Sequence, residues 1–507
     1  MTVLIGESLS VDDVVAVAGG ESVALSPVAR KRMEASRAVV AARVEAGETV
    51  YGVTTGLGSL ASVLLQPGEV RRLQHDLLRS HAVAVGPPLA PPEVRAMLVL
   101  RAHVLALGHS GVRPLLAERL MEFLDRGILP VVPEQGSLGA SGDLAPLAHL
   151  ALPLIGEGEV SVGGDRMAAD VALARAGLEP LALEPKEGLA LINGTQGMLA
   201  IGALASQRGL ELAKAADVAA AMTVEGILAT DRPFDERLQR LRPHPGQIAS
   251  AANLRRLLSE SQITASHRGS GHVVQDAYSL RCAPQVHGAF RDMLGYAFGV
   301  LEIEINSVSD NPIVLVDGDI VSGGNFHGQP VAVALDALAL ATVGLASISE
   351  RRLYRLLDSS TNNGLPAFLV DRAGMNSGFM IVQYTAASLV SESKSLAHPA
   401  SVDSIPSSAG QEDHVSMGMT AARHARECVA TAEVVVALEA MCAAQALELR
   451  RPLTPAPATA AALAALREVI PFLGEDRELK PDVDAAIELV RSGGLVDAVE
   501  AVTGTLA

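Results

Sequence analysis

A mainly α fold, a bundle of long helices with a few short β-hairpins, is predicted by three observations. Hydrophobic residues make up 49% of the 507-residue chain, yet aromatics make up only 3% and Trp is absent. Alanine, leucine and valine must therefore fill the interior, a composition suited to closely packed helices. Long stretches lack proline, above all Met417 to Leu449, whose 33 residues would span roughly 50 Å at the helical rise. Strand signals are few, short and set beside glycine turns.

Met1 to Ser10 has no cationic lead and no long apolar region, and Glu7, Asp12 and Asp13 lie in or just after it, so no export signal is expected. Short helical segments then mix with glycine-rich turns. Among them is Tyr51-Gly-Val-Thr-Thr-Gly56-Leu-Gly58, whose three glycines predict a mobile active-site loop or lid. No Gly-Lys-Ser/Thr follows it to suggest phosphate binding. Asp143 can cap a helix and Pro146 suits a first turn, so a helix is expected from Asp143 to Leu150. Glu159 to Val162 turns at Gly163-Gly164, and Pro312 to Val316 turns at Asp317-Gly318 before Asp319 to Val321; both read as hairpins. Val331 to Ser347 is the most apolar later stretch, but it is short for a bilayer and holds Asp336, so a buried helix is expected there. After Met417 to Leu449, Pro452, Pro455 and Pro457 end the run, and a shorter helical tail reaches Ala507.

The length exceeds what one core usually serves. Two regions are expected, 1–195 bearing the tyrosine loop and 196–507 carrying the long helices and tail. Helices this long and alanine-rich leave faces for other subunits to cover, which predicts an oligomer. The net charge of −17 argues against nucleic-acid binding, which needs clustered Lys and Arg. Cys282, Cys428 and Cys442 form an odd set without metal spacing, so neither a disulfide framework nor a metal site is expected, and a reducing cytoplasm fits. No membrane association is expected.

The most informative stretch runs from Gln135 to His149. In Ala140-Ser141-Gly142 the Gly142 nitrogen can attack the Ala140 carbonyl and close a five-membered ring. Loss of water, including the Ser141 hydroxyl, leaves an exocyclic methylene, so the product is a methylidene-imidazolone. Alanine and glycine suit the compressed turn this requires. A helix start directly after the triad would polarise the carbonyl. Alone, Ser-Gly-Asp is an ordinary turn and N-cap. A hydrolase elbow, Gly-x-Ser-x-Gly, would need glycine where Asp143 stands.

With its flanks, Ser137 to His149, the segment resembles that of the aromatic amino-acid ammonia-lyases and aminomutases, and further similar blocks extend from about residue 51 to residue 420. Within that family the likeness is to the histidine ammonia-lyase branch. The resemblance implies the helical ammonia-lyase fold, of the fumarase-aspartase-like type, a homotetramer with active sites shared between subunits, and a 4-methylidene-imidazole-5-one made from Ala140-Ser141-Gly142, with no metal or nucleotide.

Eliminating ammonia needs an electrophile for the amine and a base at the β-carbon. The ring would supply the first. For the second the resemblance points to Tyr51, with Tyr278 orienting the substrate or stabilising the ring system, though the two roles are exchangeable. A phenol of ordinary pKa about 10 needs cationic neighbours or helix dipoles to serve as a base. Gln275, Tyr278 and Arg281 stand near helical spacing and would point one way; Arg281 would clamp the substrate carboxylate. Asn193 would hydrogen-bond that carboxylate or the ring oxygen, and Phe326 would pack along cofactor or substrate.

Substrate choice falls to His81, Glu412 and Met380, which resemble the histidine-branch pattern. A carboxylate at 412, where phenylalanine and tyrosine lyases often carry glutamine, suits an imidazole N–H. His81 alone does not exclude tyrosine. Met380 matches a thioether lining the imidazole pocket. The chain departs from many relatives at Gly410, where asparagine is common, and at Gly328-Gln329, where Ala-Glu is often seen. The resemblance thus implies conversion of L-histidine to urocanate and ammonia, the opening step of histidine degradation. A tyrosine ammonia-lyase or a 2,3-aminomutase using the same cofactor is the alternative.

Overall fold

The computed structural model describes residues 2–56, 65, 67–269 and 274–507. Its elements are mainly helices, with nine short strands among the described residues, and Cα proximity divides the chain into two compact units. The first comprises residues 1–207, 297–336 and 399–423, and the second 208–296, 337–398 and 424–507. The units are interleaved along the chain, whereas the sequence divides it once, near residue 195.

The first unit is centred on Pro91–Ala106, almost wholly buried from Val94 onward, which packs on Pro114–Arg126 and Val11–Ala18. All the strands belong to this unit. Val3–Ile5 pairs in parallel with Val23–Leu25, and Val85–Pro88 runs antiparallel to Pro133–Gln135. Ile128–Pro130 pairs with Glu159–Val162, which returns through Gly163 and Gly164 to Asp165–Ala168. Ile313–Val314 and Ile320–Val321 form the second expected hairpin.

The second unit is helical. Within it Pro457–Val469 packs on Gly494–Thr503. The helix Gly418–Leu449 contributes Ala432, Ala437, Ala440, Ala443 and Ala444, all fully buried. Small side chains let helix backbones approach closely, as the composition predicts. Unforeseen is a buried ion pair: Arg352 donates to both carboxylate oxygens of Glu439 at 2.6 and 2.8 Å, and Thr223 and Ser349 donate to the same group.

The long helix begins one residue later than expected. Met417 has φ 53° and cannot continue into it. The apolar stretch forms Gln329–Leu357, long and apolar enough to cross a bilayer, but 61% of its most apolar window is buried. Asp336 within it accepts backbone N–H groups of Ala400 and Ser401. It is the core helix expected from that aspartate.

Candidate active site

Gly142 lies in the left-handed region, φ 73°, and a Cβ there would stand 2.0 Å from the Gly194 carbonyl oxygen. Glycine is therefore obligatory in this packing. The close approach is held by two backbone bonds, Asp143 N–H to Gly194 O at 2.7 Å and Gly194 N–H to Ser141 O at 3.3 Å. Gly139, φ 79°, is just as confined, since a Cβ would meet Ser416 Oγ at 2.3 Å. The triad is thus clamped by the Gly194 backbone on one side and by Ser416 on the other, and directly behind it the helix Leu144–Ala151 begins.

Asp143 occupies the N-cap position of that helix but makes no side-chain cap bond there. Its carboxylate turns to the neighbouring helix Gln196–Gly226, accepting the Met198 N–H at 2.7 Å, and takes the Ser137 hydroxyl at 2.8 Å. Burial pushes this carboxyl up to about 6, with Glu304 adding to the rise, against the donors that pull it down. A Cβ at Gly197 would crowd the same oxygen. The expected capping residue therefore ties the triad to a second helix rather than to its own.

A cavity of about 520 Å³ opens in front of the triad. It gathers Tyr51, Ala140, Ser141, Asn193, Phe326 and Glu412 from widely separated segments. Leu189, Asn311, His327, Gln411, Asp413 and His414 complete much of its wall; these were missed, although His327 and His414 stand inside the motif blocks that drew attention to Phe326 and Glu412. The His327 and His414 rings stack with centroids 5.7 Å apart and planes 4° apart.

Tyr51 sits in a turn that is pinned rather than loose. Val53 is buried against Val40 and Val314. Thr54 Oγ1 donates to Glu48 O and receives Val50 N–H, while Thr54 O takes Leu65 N–H at 3.1 Å. Leu57 and Gly58 of the expected loop lie outside the described residues.

Asn193 caps the C-terminus of Glu187–Ile192. Its amide N–H groups go to Asp310 Oδ1 at 3.3 Å and Asn311 O at 3.1 Å. Oδ1, buried, has no hydrogen-bond partner among the described residues. Both amide N–H groups are thus committed within the protein, whereas donation to a carboxylate or ring oxygen was expected.

Glu412 is fixed by its own loop: Ser407 Oγ donates to Oε2 at 2.7 Å, and the two backbones bond in both directions. Between them Ser408, Ala409 and Gly410 all have positive φ. Glycine and asparagine tolerate that conformation best, which suits Gly410 to its place. Gly328 is explained by packing, since a Cβ would press on the Met198 thioether at 2.5 Å; Gln329 supports the Ser401 carbonyl.

His81 ends the helix Pro67–His81. Its Nδ1 lies 2.9 Å from Leu77 O, which assigns the proton to Nδ1 and leaves Nε2 an acceptor. Burial holds its pKa down, opposed by the Leu77 bond and the Glu412 charge. The ring is therefore neutral near pH 7 and electrostatically coupled to Glu412.

Four predicted residues belong to the second unit. Gln275 and Arg281 line a different cavity of about 520 Å³, with Arg232, Arg242, Asp276 and Gln285. Tyr278 is 70% exposed, and the Arg281 guanidinium lies 4.4 Å above its ring. Both lie on the short helix Tyr278–Arg281, but Gln275 precedes its N-cap Ala277, so the expected common helical face holds for the tyrosine and arginine alone. Met380, half-buried, is the first residue of Met380–Leu396.

The aromatic amino acid lyase family model matches residues 9–468. A histidine ammonia-lyase of Anaeromyxobacter sp. (strain K) is 57% identical over 97% of this chain and 98% of its own, and one of Gloeobacter violaceus is 56% identical over 99% and 98%. Among solved structures, histidine ammonia-lyase from Trypanosoma cruzi aligns with TM-score 0.92 and 43% identity over 99% of this chain and 95% of its own. Tyrosine aminomutase from Streptomyces globisporus aligns with TM-score 0.96 and 39% identity over the whole of both. The helical fold, the clamped Ala140-Ser141-Gly142 turn and these full-length likenesses agree: the chain belongs to the aromatic amino acid lyase family.

Proposed function

We propose that this chain is a cytoplasmic histidine ammonia-lyase, a carbon–nitrogen lyase that converts L-histidine to urocanate and ammonia, the first step of histidine degradation. One observation carries the reading: Glu412, coupled to a neutral His81, faces the same cavity as Ala140 and Ser141. A carboxylate acceptor suits the N–H of a substrate imidazole. Relatives named histidine ammonia-lyase, among them one at 57% identity, support it.

The residues present fit a methylidene-imidazolone formed from Ala140, Ser141 and Gly142. Position 142 admits no side chain, and the Gly194 N–H already meets the Ser141 carbonyl, the oxygen such a ring would retain. Such a ring supplies an electrophile for the substrate amine. The chain's own residues do the rest. Tyr51 removes the β-proton at its phenolic oxygen, and Asn193 lines the cavity beside the triad. Glu412, held by Ser407, seats the imidazole, and Phe326 packs along the bound substrate. Arg281, Gln275, Tyr278 and Met380 act through a homotetramer in which other copies of the chain supply them, Arg281 to the substrate carboxylate.

The test is direct. Purified protein given L-histidine forms the conjugated absorbance of urocanate, its intact mass falls short by two waters, and Ser141→Ala loses both. Unchanged histidine with a full-mass chain refutes the assignment. A 2,3-aminomutase acting on tyrosine is the second reading, favoured by the TM-score of 0.96. It would return ammonia to Cβ, so product analysis with histidine and tyrosine separates the two.

A further inference from the structure

Behind Asn193 lies a polar cluster that the proposed chemistry does not use. Lys186 and Asp310 are both fully buried, with Nζ 2.6 Å from Oδ2. The other oxygen of Asp310 receives the Asn193 amide and the Asn311 N–H. Asp310 thus grips both ends of one short helix, Glu187–Ile192, whose N-cap is Lys186 and whose C-cap is Asn193. Lys186 itself sits at φ 77°, a conformation that persists only where surrounding contacts impose it.

Arg101, also fully buried, donates to the Asn193 carbonyl at 2.8 Å. Its Nε and Nη2 have no hydrogen-bond partner among the described residues, and burial lowers it to about 10. Two cations therefore surround one carboxylate in the buried interior, an arrangement no more stabilising than well-packed apolar side chains. Stability alone does not account for it. What the cluster touches is Asn193, and the next residue, Gly194, makes both backbone bonds that clamp Ser141 and Asp143.

We propose that Lys186, Asp310 and Arg101 are positioning residues that hold the Asn193-Gly194 peptide in register with Ala140-Ser141-Gly142, so that the triad can condense. This rests on the reading of the triad as a self-made electrophile. A shifted Asn193 would carry Gly194 with it, releasing the Ser141 carbonyl and widening the turn that brings the Gly142 nitrogen toward the Ala140 carbonyl carbon. Ring closure forms that N–C bond and expels two waters, one taking the Ala140 carbonyl oxygen and the other the Ser141 hydroxyl.

The readout is the mass of the purified chain and of its 140–142 peptide. In Asp310→Asn the fraction of chains lacking two waters falls about tenfold, the effect of weakening one charged hydrogen bond. Lys186→Met with Asp310→Leu removes both charges, melts within a few degrees of the unsubstituted protein and condenses as poorly. A merely structural pair would behave oppositely, with condensation tracking the melting temperature. If the double variant folds and is dehydrated like the parent, the proposal is overturned. Should the parent itself keep its full mass, the electrophile reading falls with it, whereas dehydrated parent and equally dehydrated variants overturn the positioning role alone.

Discussion

Glu412→Gln tests the substrate assignment at the residue that carries it. The Ser407 hydroxyl donates to Oε2 at 2.7 Å, leaving Oε1 for the substrate imidazole. A glutamine in the same place has one acceptor and one NH2. If the amide oxygen faces Ser407, the NH2 meets the imidazole N–H and the bond is lost; if it turns round, the hydroxyl must reorient and the bond to substrate becomes neutral. Losing a charge-assisted bond in a partly buried site costs about 1.5–3 kcal/mol, so kcat/KM for histidine should fall roughly 10- to 100-fold. A second consequence is specific. Glu412 raises the His81 pKa against burial, so the substitution lowers it further, and the acid limb of kcat/KM, where His81 becomes protonated, moves to lower pH. Steady-state kinetics across pH, with intact mass confirming the ring, would measure both. Unchanged kcat/KM for histidine, or an acid limb shifted upward, would refute the reasoning.

Gly142→Ala places a methyl 2.0 Å from the Gly194 oxygen at positive φ. Breaking two backbone bonds and forcing alanine into that region should cost roughly 2–5 kcal/mol, seen as a lowered denaturation midpoint and a chain of full mass; a midpoint like the parent's would contradict the packing described. Asp143, raised to about 6 in the fold against about 3.9 unfolded, binds more protons when folded. Its contribution to stability should therefore be fullest below pH 4 and decline by something on the order of 3 kcal/mol as pH rises through 6, a component that Asp143→Asn removes; parallel profiles for the two proteins would disprove it. Tyr51→Phe and Arg281→Ala should each be inactive, yet co-expressed chains should regain activity in mixed assemblies if different copies supply the two residues. Mixed assemblies no more active than either variant would argue against shared sites.

Local chemistry was legible where it is local. The two hairpins follow from glycine pairs and Asp-Gly between β-branched runs, and the long helices follow from alanine and leucine without proline. The triad and its flanks were readable because ring closure demands small residues in fixed order. The meeting of Tyr51, Asn193, Phe326 and Glu412 was not, since chain spacing says nothing of which distant segments share a cavity. Pattern rules also misjudge buried charge. Arg101, Lys186 and Arg352 look like surface residues in sequence, yet each is fully buried, and only the structure reveals Asp310 and Glu439 opposite Lys186 and Arg352. Three glycines suggest a loose loop at Tyr51, but one buried valine, Val53, overrides them in the described part.

The two ends of the cavity are built by different means, and this bears on how one scaffold serves several substrates. At the triad, position is set largely by backbone: Gly142 and Gly194 approach so closely that a side chain at 142 would strike the Gly194 carbonyl. At the other end, position is set by side chains on a loop with three successive positive-φ residues, closed by Ser407 and Glu412. A substitution at 412 alters what is seated without touching any bond at 140–142. A backbone matching a tyrosine aminomutase at TM-score 0.96 with 39% identity is what such a division would produce. The electrophile requires one geometry, whereas the seat requires only a different acceptor. Specificity in this chain should therefore yield to changes at His81 and Glu412 while the two-water mass loss stays intact; a seat substitution that abolished ring formation would show that the ends are coupled.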